Sequence, residues 1–252
     1  MPAVKRIHHV GIVVEKLETA YRFYRDTLGL SLTREALLPD QGVRAALLAV
    51  EGAEVELLEP VKPGTGVARF LERRGAGLHH VCFESADVGA ALAELKSRGV
   101  ALVDQAPRPG LAGQIAFLHP SACGGVLVEL ATPIGEPPHA PAPLRLKRLV
   151  IGAHDPQATA RLFQGLFGLS EQLMNGGARV MLSVGPGALL LVPRGQVGDV
   201  EGMVALSMVA RDLAEVIRRL EASGSQVMKG TSELTVEPGS SHGVHLHVSR
   251  YE

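Results

Sequence analysis

One unit recurs four times along the chain: a strand, then a helix that stops at a glycine, then short aliphatic strands. This repetition limits the possible folds more than any other feature. In the first copy Ile7-His8-His9-Val10-Gly11-Ile12-Val13-Val14 reads as a strand. It precedes a helix with Leu17, Ala20, Tyr21, Tyr24 and Leu28 on one face, closed by Gly29. The second copy starts at Leu78-His79-His80-Val81-Cys82-Phe83, with Asp87 as N-cap, Val88, Ala91, Leu92 and Leu95 as the apolar face, and Gly99 as the stop. The third runs from Leu149-Val150-Ile151 through an Asp155-Pro156 start to Ala160, Phe163, Phe167 and Gly168. The fourth has Ala205-Leu206-Ser207-Met208-Val209 as its strand, Asp212 as cap, Leu213, Val216, Ile217 and Leu220 on the helix, and Gly224 as the stop. Segments such as Val43 to Val50 and Val55 to Leu58, separated by glycine turns, follow each helix. Each unit therefore reads βαβββ and the fold class is α+β. Such a module leaves one sheet face uncovered and must pair with another, so two modules per domain and two domains account for the 252 residues.

A proline-rich stretch, PIGEPPHAPAP, marks the boundary, since it can continue neither a helix nor a central strand. The expected organisation is a first domain over 1–133, with modules at 5–60 and 76–133, a connector over 134–143, and a second domain over 144–252. Hydrophobic residues make up 46% of the chain, enough for two cores. A net charge of −1 supplies no basic field for nucleic acid or an anionic membrane, so a small molecule is the expected partner. Two cysteines, Cys82 and Cys123, cannot build a disulfide framework, and the first apolar run is too short for a signal peptide or a membrane span. A cytoplasmic protein is expected.

Polar residues stand in the first half where strands should be apolar. His9 and His80 occupy the same place in the first strand of their modules, and Glu56 and Glu129 lie in the last strand of theirs. A carboxylate among so many apolar residues is costly unless it is paired or bound to a cation. Two imidazoles and two carboxylates converging between paired modules would form a divalent-metal site of mixed N and O ligands, with positions left open. Their neighbours His8 and His79 are expected to point to the opposite face, as hydrogen-bonded or surface histidines. Glu54 and Glu59 leave open an alternative in which Glu56 belongs to a solvated edge.

Five segments in order, KRIHHVGIVVEKLETAYRFYRDTLGL, PDQGV, EVELLEP, FLERRGAGLHHVCFE and IAFLHPSACGGVLVEL, resemble methylmalonyl-CoA epimerases. These belong to the vicinal oxygen chelate superfamily, which also contains glyoxalase I and extradiol dioxygenases. The resemblance covers residues 5–133 and implies tandem vicinal oxygen chelate domains, with four βαβββ modules paired into two curved mixed sheets. It implies His9, Glu56, His80 and Glu129 as ligands of one divalent ion, with cobalt, manganese, zinc and nickel not distinguished. It further implies C2 proton abstraction and return on methylmalonyl-CoA or a related acyl-CoA through a metal-stabilised enolate, with Asp40 and Glu129 as the two acid/base groups. Asp40, in PDQGV, departs from the family's usual Glu and is one methylene shorter; on composition alone it also suits a turn. Alternatives are a glyoxalase I-like lyase acting on a hemithioacetal and a non-catalytic binding protein of the same fold. Lys62, Arg69 and Arg108 are candidates for holding CoA phosphates.

In the second half, aligning the helix-stop glycines sets Arg148 against His9, Leu189 against Glu56, Ala205 against His80 and His247 against Glu129. No metal site is expected there. His242, His245 and His247 are expected to alternate on a strand with surface or packing roles. The second domain is expected to stand where a second subunit packs in homodimeric relatives, giving a monomeric pseudo-dimer or a homodimer.

Overall fold

The computed structural model describes residues 4–135, 142–174 and 177–251. The first half contains β1 (Val4–Val13), α1 (Leu17–Tyr21), β2 (Ser31–Leu38), β3 (Val43–Val50), β4 (Ala53–Pro60), α2 (Gly66–Arg74), β5 (Gly77–Ser85), α3 (Val88–Ser97), β6 (Arg108–Gly110), β7 (Gly113–Leu118) and β8 (Val128–Pro133). The second contains β9 (Leu144–Ala153), α4 (Pro156–Phe167), β10 (Ser170–Gln172), β11 (Val180–Val184), β12 (Gly187–Pro193), β13 (Gly202–Ala210), α5 (Leu213–Ala222), β14 (Val227–Lys229), β15 (Glu233–Val236) and β16 (His245–Ser249).

Strands β1 to β8 form one sheet in the order β2-β3-β4-β1-β5-β8-β7-β6, and β9 to β16 form a second in the order β10-β11-β12-β9-β13-β16-β15-β14. Each sheet therefore carries two modules with their first strands adjacent at the centre and their last strands flanking them. Parallel pairing of β5 with β8 and antiparallel pairing of β3 with β4 make the first sheet mixed. This is the tandem, four-module fold that the repeat predicts.

The central strands hold the core. Every residue of β4 except Pro60 is buried, as are His9 to Val13 of β1, whereas the edge strand β2 is largely exposed. An exposed edge bearing Arg34 and Glu35 resists pairing with other chains. Helix starts follow the predicted caps. The side chains of Asp87, Asp155 and Asp212 accept from the N–H groups of Ala90, Ala158 and Glu215 at 2.9, 3.0 and 3.0 Å, each cap being worth about 1 kcal/mol. The four stop glycines, Gly29, Gly99, Gly168 and Gly224, all have φ between +69° and +75°, a region that favours glycine.

Three details depart from the sequence expectation. The first helix does not stay α-helical: after Tyr21 it widens into a π-helical stretch, Arg22–Thr27. Helix α2 was not anticipated; Thr65 starts it, its hydroxyl accepting from the Ala68 N–H at 3.2 Å. His242 lies in the turn before β16, at φ 54°, so only His245 and His247 share a strand. Most of the 134–143 connector lies outside the described residues.

The chain packs as two compact units. One holds Val10 to His79 together with the residues from Ala205 onward. Within it Tyr24 Oη donates to Ser241 O at 2.9 Å, and Arg211 pairs with Glu51 at 2.9 Å. Gly243 (φ +81°) lies against Ala76, where an added Cβ would stand 1.8 Å from the Ala76 carbonyl oxygen. The other unit joins the strand residues up to His9 with those from His80 onward in the second module and with Arg148 to Val204. Its core includes Phe83, packed edge-on against Phe167 at 5.2 Å.

Candidate metal centre

The sheet order brings β4, β1, β5 and β8 side by side, and each carries one of the four residues singled out from the sequence. His9, Glu56, His80 and Glu129 are all buried and place one ligand atom each within 4.8 Å of one another. His9 Nε2 lies 3.0 Å from His80 Nε2. Glu129 Oε2 lies 3.1 Å from His80 Nε2 and 3.6 Å from His9 Nε2. The register explains the convergence: Cys82 pairs in parallel with Glu129, and His80, two residues earlier on β5, shares that face.

The donor set fits a divalent cation. Ligands at about 2.1 Å from a metal in octahedral or tetrahedral geometry are separated by about 3.0–3.4 Å, the scale of the separations seen here. The mixture of two imidazole nitrogens and two carboxylates suits first-row divalent ions and does not select among them. Three further features hold the donors in place. The Phe117 ring lies edge-on to His80 at 5.3 Å. His9 Nδ1 lies 2.9 Å from His8 Nδ1. The flanking acids have their own partners: Glu54 accepts from Thr33 Oγ1 at 2.6 Å, and Glu59 accepts from the Leu17 N–H and from Lys16 Nζ, both at 2.9 Å. The solvated-edge alternative for Glu56 therefore does not hold, since all three acids of β4 are buried.

Burial pushes the Glu129 carboxyl up, but hydrogen bonds from His80 and His9, and their charge, outweigh it and hold the group well below the usual carboxylate range. A depressed native pKa adds stability that is fully present above the unfolded value, about 4.3 for Glu, and is lost as pH falls through the native value. The metal-free protein should accordingly lose stability as pH falls below about 4. Denaturant unfolding of wild type and Glu129→Gln at pH 3 to 7 checks this: the wild-type curve should fall more steeply, and parallel curves would rule the contribution out.

The remaining sequence candidates are not part of this cluster. Asp40 is exposed in the turn between β2 and β3, where the N–H groups of Gln41 and Gly42 donate to Leu38 O. Lys62 is exposed, Arg69 donates to Gly64 O, and Arg108 pairs with Asp104 at 3.0 Å while lying over the Phe117 ring. His79 packs edge-on against Phe70 at 4.9 Å, in keeping with its expected position away from the donors. His8 does not keep to the far side: it is buried and reaches His9. Sequence reasoning missed His8 and Phe117; the aromatic directly opposite Glu129 in the β7–β8 ladder was the available signal for Phe117.

The second sheet lacks the set. Arg148, Leu189 and Ala205, the residues set against His9, Glu56 and His80 in the sequence, lie on β9, β12 and β13, and none of them offers an imidazole or a carboxylate. His247 pairs with Ser207 as Glu129 pairs with Cys82, and its Nδ1 lies 2.9 Å from Thr235 Oγ1. Among the described residues no helix is long and apolar enough to cross a membrane.

Comparison with known proteins gives matches in both sequence and structure. The family model of the Glyoxalase/Bleomycin resistance protein/Dioxygenase superfamily matches residues 8–118. The ethylmalonyl-CoA/methylmalonyl-CoA epimerase of Cereibacter sphaeroides is 38% identical over 130 residues, spanning 50% of this chain and 97% of that protein. The crystal structure of methylmalonyl-CoA epimerase from Mycobacterium tuberculosis superposes with a TM-score of 0.51 at 40% identity, over 54% of this chain and 92% of that one. A mutant of 4-hydroxymandelate synthase from Streptomyces coelicolor aligns with 98% of this chain and 92% of its own, with a TM-score of 0.69. At 17% identity that likeness concerns the fold alone.

Proposed function

The chain belongs to the glyoxalase/bleomycin resistance protein/dioxygenase superfamily, and from that membership we propose that it is a divalent-metal-dependent epimerase of methylmalonyl-CoA or a related acyl-CoA. The observation that carries this reading is the convergence of His9, Glu56, His80 and Glu129, four buried donors on four neighbouring strands. A bound divalent cation supplies Lewis acidity for the negative charge that develops when the C2 proton departs. His9 and His80 would hold the ion through Nε2, and Glu56 through a carboxylate oxygen. Glu129 turns Oε2 toward the two histidines, leaving Oε1 to exchange a proton with one face of C2. Asp40 serves the other face, for which its turn must bring the carboxyl within about 3 Å of the carbon.

Residues 1–133 are, in this reading, the metal-binding domain, and 144–252 a second domain of the same fold without the site. The buried thiols of Cys82 and Cys123, which form no disulfide among the described residues, suit a reducing, cytoplasmic setting. The exposed position of Asp40 favours one second reading, a metal-holding protein that binds its small molecule without turning it over. One experiment separates the two. Metal-loaded protein is incubated with one epimer of methylmalonyl-CoA in deuterated water, and C2 exchange and inversion are followed together. Exchange with inversion is expected. Exchange without inversion would sink the role given to Asp40, and neither event in a metal-loaded protein would favour the binding module.

A further inference from the structure

We infer that His8 is a positioning residue for the metal centre, accepting the Nδ1 proton of His9 and so turning the His9 Nε2 lone pair toward the cation. This rests on the metal reading above. The two rings stand nearly perpendicular, at 84°, with Nδ1 to Nδ1 at 2.9 Å. His8 is 4% exposed and His9 fully buried, so water does not define this contact. The direction of the bond follows from the chemistry of imidazole. A neutral ring carries one N–H; if Nε2 of His9 keeps its lone pair for a ligand bond, its proton sits on Nδ1. His8 must then offer a bare Nδ1 and carry its own proton on Nε2. Fixing the second nitrogen of a ligating histidine sets the ring orientation and strengthens its donor atom.

His8, His9 and Cys82 also place ligand atoms within 4.8 Å of one another. A second cation on those three would require His9 Nδ1 as a ligand, and His9 would then have to lose both ring protons to serve two ions. Donation from His9 to His8 satisfies the same atoms with one proton.

The test uses the full chain loaded with cobalt(II), with affinity measured by chelator competition and ligand geometry followed by the visible absorption of the ion. His8→Phe fills the space without an acceptor, and His8→Asn keeps an oxygen where Nδ1 stands. His8→Phe should bind cobalt about 10- to 100-fold more weakly with an altered spectrum, and His8→Asn should recover most of the loss. His8→Leu replaces the Phe variant if melting of the metal-free protein shows that His8→Phe does not fold. Affinity and spectrum unchanged in His8→Phe would overturn the inference, as would two equivalents of cobalt in wild type falling to one in His8→Phe. Failure of the wild type to take up any cobalt would overturn the metal reading and this inference with it.

Discussion

His80→Ala should lower C2 proton exchange on methylmalonyl-CoA by about 1,000-fold, because it removes a ligand at the centre of the cluster, and electrostatic stabilisation of a developing enolate is commonly worth that much. His80 touches two of the other donors and an aromatic ring. Its Nε2 lies 3.0 Å from His9 Nε2 and 3.1 Å from Glu129 Oε2, and Phe117 holds its ring from the side. Without it, His9, Glu56 and Glu129 remain, a set with one imidazole fewer that should hold the ion more weakly. Metal content and exchange rate should therefore fall together, while the circular dichroism of the variant stays that of wild type. A variant that keeps one equivalent of metal and full exchange would remove His80 from the centre. His247→Ala, at the counterpart of Glu129 in the second sheet, should change neither quantity, which separates loss of a ligand from general damage.

The second large effect is on stability. Four ionisable groups are buried together, and in the metal-free protein three of their donor atoms crowd within 3.6 Å. A cation that binds only the folded state stabilises it by about 4 kcal/mol at a free concentration 1,000 times its dissociation constant. For a chain of this size that corresponds to a rise in Tm of about 8–16 °C. Calorimetry with added divalent metal and with chelator measures the difference; a shift below about 2 °C with metal demonstrably bound would contradict the burial argument. The second sheet supplies the internal control. Glu56→Leu with His80→Ala copies Leu189 and Ala205 into the first sheet and should abolish the metal-dependent rise. Because His80→Ala leaves the buried Glu129 carboxylate with one imidazole partner fewer, the metal-free double variant should melt below metal-free wild type, and the control is read from the lost metal-dependent rise.

Much of this site could be seen in the sequence because repetition did the work of coordinates. His9 and His80, and Glu56 and Glu129, hold equivalent places in two modules, and pairing the modules about adjacent first strands brings equivalent places together. Helix starts and stops were legible for a local reason, since an Asp cap and a left-handed glycine act within one turn of chain. His8 was misread because strand alternation fixes the direction of Cβ, while the position of a ring nitrogen also depends on two side-chain torsions. The π-helical stretch Arg22–Thr27 was invisible because no residue in it distinguishes one extra residue per turn from an ordinary helix. The association of the first module with the fourth and of the second with the third depends on side-chain packing such as Phe83 against Phe167, which no local pattern encodes.

The most direct measurement follows C2 proton exchange on methylmalonyl-CoA in deuterated water as a divalent metal is titrated into the metal-free full chain. The rate should rise with added metal, level off at one equivalent per chain and return to background with chelator. Exchange that is indifferent to metal and chelator, or no exchange at saturating metal, would contradict the assignment of His9, Glu56, His80 and Glu129 as a catalytic metal centre.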